Sequence, residues 1–217
     1  MSLKNNFIEK YGLYEKSSEI PIPFADDMNK LNAHIQQYIP ITEERLLALS
    51  EFFETRTYDK KEFLINEGAL CKEKFFINKG FLQTCFTKSN GIVQTVDFSL
   101  ENWWATDFDA FSKGGKSQYT IQAIEKTEVV VLSAGNQERL LRQYPELERY
   151  FHLVFQRAYA ATQNRIRLLY EFSREELFEH FIRQYPAFVQ RVPQYLLASF
   201  LGFTPEYLSK IRKKHIS

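Results

Sequence analysis

Only two cysteines, Cys71 and Cys85, occur in this chain of 217 residues. That is too few for a disulfide framework, and no Cys-x-x-Cys or mixed Cys/His cluster is present to hold zinc or an iron–sulfur centre. A reducing compartment is expected. Long apolar runs are missing too: no stretch approaches the ~20 residues of a membrane span. The N-terminus, with Lys4, Asn5, Asn6 and Glu9, lacks the apolar region of a signal peptide. A cytoplasmic protein with no membrane partner is expected.

The constellations of common enzymes are also lacking. There is no Gly-x-Ser-x-Gly elbow and no Gly-rich phosphate loop followed by Lys-Ser/Thr. The four histidines, His34, His152, His180 and His215, all fall outside the strand-rich region, so no cupin-type metal set can be assembled there. No catalytic residue, metal or cofactor is expected. An excess of charge is absent as well: the net charge is +1, so the whole chain is not a general binder of polyanions.

What is present suits a soluble globular protein. Hydrophobic residues make up 44% and charged residues 25%, and 20 phenylalanines can fill sizeable cores. The length suggests two units. Residues 1–27 are polar and irregular, with Pro21 and Pro23 around Ile22, and read as an N-terminal extension. From Met28 to Ser50 the pattern is helical, interrupted at Pro40 and restarted by the cap Thr42-Glu-Glu.

Between Phe52 and Ser133 the chain turns to short strands rich in β-branched and aromatic residues. The spacing predicts them near Phe53–Tyr58, Glu62–Ile65, Lys74–Asn78, Phe81–Thr87, Ile92–Phe98, Tyr119–Glu125 and Glu128–Leu132, with Asn90-Gly91 the strongest hairpin signal. An antiparallel barrel or sandwich follows from that pattern. Ser133 is expected to cap a helix ending at Tyr144-Pro145.

Glu146 to about Tyr170 contains no Gly or Pro. Leu147, Phe151, Val154, Ala158 and Ala161 recur four, three, four and three apart, a heptad seam that suits a core helix or, as the preferred reading, a homodimer interface. Ser173-Arg-Glu-Glu is a capping box for the next helix, and Ala187–Val192 reads as a short strand or loop. The predicted domains are therefore 28–145, a dimerisation helix at 146–172, and a small helical domain at 173–217.

The last of these carries the most informative stretch. Pro193 to Leu201 reads as one helix ended by Gly202. Thr204-Pro205-Glu206 opens a second, with Leu208 and Ile211 on its buried face and Glu206, Ser209, Lys210, Lys213 and Lys214 on the other. A helix-turn-helix has this layout, in which the second helix offers polar and cationic side chains to the major groove of double-stranded DNA.

In the order barrel, long helix, helix-turn-helix, the chain resembles the CRP/FNR superfamily of bacterial transcription regulators over about Met28 to Lys214. The most specific part is Ala198-Ser-Phe-Leu-Gly-Phe-Thr-Pro-Glu-Tyr-Leu-Ser-Lys-Ile-Arg-Lys213. The resemblance implies an α+β fold: an antiparallel jelly-roll (β-roll) effector domain with flanking helices, a long dimerisation helix and a DNA-binding domain. It also implies that Glu206 accepts from a cytosine and that Ser209, Lys210, Lys213 and Lys214 contact bases or phosphates, with Thr204 and Tyr207 completing the DNA-facing set. Lys210 and Pro205 stand where the family usually has arginines.

Cyclic-nucleotide-binding members carry Gly-Glu, the Glu holding ribose, and further on an Arg that pairs with the cyclic phosphate. Here Ala105-Thr106 replaces Gly-Glu, and Ser117 stands in place of the Arg. Without the guanidinium a buried phosphate loses its bidentate partner, so no response to cyclic AMP or cyclic GMP is expected. Any effector pocket, its ligand unknown, is expected at Trp104, Thr106, Lys116, Ser117, Gln118 and Tyr119. Trp103 and Trp104 read as core filling or as a pocket wall. Two alternatives stand beside this reading: a working cyclic-nucleotide sensor that uses Lys116 for the phosphate, and a signalling or scaffold module whose helix-turn-helix no longer binds DNA.

Overall fold

The computed structural model describes residues 26–216, with side chains from Met28 to Ile211. Most of the predicted N-terminal extension, and the side chains of Lys213 and Lys214, lie outside the described residues. Helices α1 (Asp26–Tyr38) and α2 (Glu43–Ala48) lead through one 3₁₀ turn, Leu49–Phe52, into the strands. Thr42 caps α2 as its sequence suggested, its hydroxyl accepting from the Arg45 N–H.

The strands are β1 (Glu54–Tyr58), β2 (Phe63–Ile65), β3 (Glu73–Lys79), β4 (Leu82–Thr87), β5 (Val93–Ser99), β6 (Trp104–Ala105), β7 (Thr120–Ala123) and β8 (Thr127–Ser133). They form two four-stranded antiparallel sheets, in the orders β1-β8-β3-β6 and β2-β7-β4-β5. This jelly roll matches the expected fold class. Seven of the strands fall near their predicted places. The eighth, β6, is two residues long and was not predicted; neither was α3 (Phe108–Lys113), the short helix after it.

Strands β3 and β8 are buried on both faces, which is why they read as continuous apolar runs rather than alternating ones. Phe75, Ile77, Val129 and Val131 point between the sheets, against Leu82, Ile121 and Ala123. Phe76, Val130 and Leu132 point the other way, onto Leu31, Ile35, Leu140, Leu147 and Tyr150 of the surrounding helices. The turn after β3 requires glycine: at Gly80, φ is +105° and an added Cβ would fall 2.5 Å from the Thr127 hydroxyl. That hydroxyl instead accepts the Phe81 N–H at 3.1 Å.

After α4 (Ala134–Gln143), the 26-residue helix α5 (Glu146–Glu171) runs along the barrel to the C-terminal helices α6 (Arg174–Gln184), α7 (Pro186–Arg191), α8 (Gln194–Leu201) and α9 (Pro205–Ile216). The capping box at Ser173 forms, with Glu176 returning a bond to the Ser173 N–H at 2.9 Å. Residues 187–191, read as a strand or loop, are helical because Pro186 sits at a first helical position, where its missing N–H costs nothing.

The expected division at residue 173 is not a gap in the core. Phe81, Phe98, Leu100 and Ile124 of the barrel share one apolar cluster with Phe178, Phe181, Phe188 and Phe200 of the terminal helices. Arg191 closes the seam, its guanidinium 2.8 Å from Glu101 and 2.5 Å from Glu125. Among the described residues no helix is long and apolar enough to cross a membrane.

Candidate nucleotide cassette and DNA interface

The chain leaves β6 through Thr106 and Asp107, makes helix α3, turns at Gly114-Gly115 and re-enters the barrel at Ser117. In this loop Asp107 does the work of a helix cap. One carboxylate oxygen, Oδ1, accepts from the Ala110 N–H at 3.1 Å, at the start of α3. The other, Oδ2, accepts from the Gln118 N–H at 2.9 Å and lies 3.2 Å from the Ser117 hydroxyl. Ser117 shares its single proton between that oxygen and the Tyr119 carbonyl, 2.8 Å away. Asp107 and Ser117 are 5% and 3% exposed.

A helix start, a backbone N–H and a hydroxyl converging on one point make a cradle for an anion. Here the chain's own carboxylate fills it. Thr106 is equally committed: its hydroxyl donates to the Glu73 carbonyl at 2.9 Å and lies 3.2 Å from the buried Cys71 Sγ. Lys116 is exposed at the surface.

The six expected pocket residues are thus not one site. Thr106 and Ser117 belong to the closed cluster. Ser117 also lines a cavity together with Gln118, Tyr119, Glu67, Gly68 and Phe86, so three of the six share one site. Trp104 points to the opposite face of its sheet, its indole N–H donating to Tyr150 Oη at 2.9 Å and its ring packed on Phe76 and Phe151. Sequence reasoning missed Asp107, although an Asp just before a short apolar stretch that ends in Gly-Gly is a legible cap-to-cap signal.

At the other end, α8 and α9 meet around Gly202, whose φ of +76° is the left-handed cap predicted for it. Thr204 caps α9, its hydroxyl accepting from the Tyr207 N–H at 3.2 Å. Leu208 and Ile211 are buried at 1% and 2%, while Thr204, Glu206, Ser209 and Lys210 are exposed together on the outer face. Tyr207 stands apart from that set: its ring packs on Phe203 at 5.6 Å and under the Arg174 guanidinium at 5.8 Å. It is part of the scaffold that orients α9.

The barrel holds this unit directly. The β5 backbone N–H of Thr95 donates to Ser199 Oγ at 2.8 Å, and the Gln94 side chain donates to the Ser199 carbonyl. From α5, Arg165 reaches both β5, at the Val96 carbonyl, and α8, at the Phe200 carbonyl 2.9 Å away, with its guanidinium 3.9 Å from the Phe200 ring.

The seam expected to face a second chain turns inward. Leu147 and Ala161 are 1% and 2% exposed within the single chain, and Phe151, Val154 and Ala158 pack on its own cores. A second seam lies one position along. Phe155, Tyr159, Ile166 and Leu169 are 53%, 58%, 50% and 42% exposed, and with Thr162 they keep the same four-three spacing. An apolar helix covered on one side by its own barrel leaves this adjacent stripe to solvent.

Residues 55–144 match the family model of the cyclic nucleotide-binding domain. No curated protein matches the sequence significantly. Solved structures do match by fold. A putative transcriptional regulator of the CRP/FNR family from Eubacterium rectale superposes with a TM-score of 0.65 at 14% identity, covering 82% of this chain and 87% of its own. FixK2 from Bradyrhizobium japonicum gives 0.64 at 15% identity, covering 75% and 83%. The c-di-GMP-responsive global regulator CLP of Xanthomonas campestris gives 0.64 at 14%, covering 79% and 88%.

Proposed function

From the premise that this chain carries a cyclic nucleotide-binding domain within the fold of the CRP/FNR regulators, we propose that it is a homodimeric, sequence-specific DNA-binding transcription regulator that does not respond to cyclic AMP or cyclic GMP. The observation that carries the DNA reading is the exposed set Thr204, Glu206, Ser209 and Lys210 on a helix whose opposite face is locked by Leu208 and Ile211. A carboxylate and an ammonium projected from a rigid helix suit base edges and phosphates of the major groove. Lys213 and Lys214 extend the same sequence stripe with positive charge.

Dimerisation uses the outward stripe Phe155, Tyr159, Ile166 and Leu169, because a helix-turn-helix reads two half-sites through two-fold symmetry. Insensitivity to cyclic nucleotides rests on Asp107, whose carboxylate holds the anion cradle, together with the lack of the arginine at Ser117. Signals pass from barrel to DNA through α5, where Arg165 ties β5 to α8.

A mobility-shift assay on the DNA upstream of its own coding region tests this. Specific complexes are expected, unaffected by cyclic AMP. The Glu206→Ala variant relaxes base choice at one position of each half-site by roughly 1–3 kcal/mol while non-specific affinity is kept. Sequence-blind binding by the wild type contradicts the reading. Phe155→Asp gives monomers by light scattering, and an unchanged dimer mass contradicts the assigned interface.

A further inference from the structure

Lys74 is a buried polar side chain that belongs neither to the Asp107 cluster nor to the α8–α9 unit. It lies on β3, on the face turned away from the barrel interior, and is 6% exposed. Among the described residues its ammonium makes no ion pair or hydrogen bond. It is surrounded by rings instead, with Nζ 3.4 Å from the centroid of Phe151, 4.9 Å from Trp104 and 5.7 Å from Phe111. The neighbouring acids are engaged elsewhere. Glu73 pairs with Arg56 at 2.8 Å, and exposed Asp109 pairs with Lys113 at 2.7 Å.

Lys74 lines a cavity of about 570 Å³ between the outer face of the barrel, α3 and the first half of α5. The walls are mostly aromatic and aliphatic. Among the described residues one further polar group there has no partner: the buried Oε1 of Gln137, from α4. A pocket of this size with an apolar wall and a few polar anchors is the usual form of a small-molecule site. An unpaired buried cation costs free energy that an incoming anion returns. Burial holds the Lys74 amine well below its ordinary range, so an acid that enters with its proton can hand it to the amine and leave an ion pair.

The geometry points to this cavity as the binding site for a small apolar carboxylate, an aryl or alkyl acid whose carboxylate pairs with Lys74 and whose body packs on Trp104, Phe111 and Phe151. A hydroxyl or N–H on that body would meet Gln137. The site is separate from the nucleotide cassette, since Lys74 and Trp104 face the helices while Asp107 and Ser117 close the loop after β6. It also touches α5 through Phe151, Val154 and Ala158, the same helix whose Arg165 holds the DNA-reading unit. Occupancy would therefore act on the element that carries the signal.

The test is calorimetric titration of the full-length protein, without DNA, with 1-naphthylacetate and its neutral counterpart 2-(1-naphthyl)ethanol. The absence of DNA separates this inference from the DNA reading. The acid is expected to bind at least tenfold tighter than the alcohol at neutral pH. In Lys74→Met that preference disappears while the alcohol still binds, and the variant's thermal melt reports that it is folded. Ala158→Phe, which fills the cavity from α5, abolishes binding of both probes even if Lys74→Met proves unstable. Equal affinity for acid and alcohol in the wild type, no binding of either, or a preference that survives in folded Lys74→Met would overturn the assignment.

Discussion

The barrel contains two buried ionisable side chains, one acidic and one basic, that are treated in opposite ways. Asp107 has its carboxylate oxygens met by two backbone N–H groups and one hydroxyl. Lys74, on the far side of the same sheet, has three rings and no anion. One cluster is complete without a ligand and the other is not. In the loop that resembles a nucleotide cassette the buried carboxylate is satisfied by the chain itself, whereas the unpartnered buried amine lies on the flank against α5.

The difference can be broken first at Asp107. Asp107→Ala removes the cap of α3 and takes the acceptor from the part-buried Gln118 N–H. A loss of about 3–4 kcal/mol in denaturant unfolding is expected. A loss under about 1 kcal/mol would mean that the carboxylate does not hold the loop.

The next effect is pH-dependent and sits beside the Lys74 cavity. Trp104 donates to Tyr150, and Tyr150 Oη lies 2.8 Å from His34 Nδ1, a chain that needs a neutral imidazole accepting at Nδ1. Burial, with a smaller push from Arg157, lowers His34 from 6.5 to about 4. The unfolded chain thus takes up this proton at higher pH than the native one. The stabilisation is complete above about 6.5 and is lost as pH falls from there towards about 4. It amounts to roughly 3 kcal/mol. Urea unfolding across that range should show the slope, and His34→Gln should flatten it.

The smallest effect is at Lys74 itself. Lys74→Met exchanges an unpaired buried amine for a side chain of similar shape, so stability should stay level or rise by up to about 1 kcal/mol. A large loss would show that Lys74 holds the fold together as Asp107 does, and the contrast between the two clusters would fall.

Much of this was legible beforehand. Thr42, Ser133 and Ser173 were read as caps and are caps, each accepting from a backbone N–H in the first turn that follows. Gly202 took the left-handed turn, and Leu208 with Ile211 took the buried face of α9. These features depend on local chemistry, which the sequence carries. What was missed depends on packing across the fold. Strand β6 is two residues long and has no period to detect. On α5 two apolar stripes run one residue apart, and only the position of the barrel decides that Val154 and Ala158 face in while Phe155 and Tyr159 face out. Lys74 read as part of an apolar strand, and nothing nearby in the chain shows that its amine ends among Phe151, Trp104 and Phe111.

The proposed function requires a DNA-reading dimer that works without a cyclic nucleotide. It is tested most directly by selecting bound duplexes from a random library with the purified protein, once without and once with millimolar cyclic AMP. The expected result is one two-fold symmetric motif, with half-sites about one helical turn apart, identical in both selections. No enriched motif, or a motif that emerges only with cyclic AMP, would contradict it.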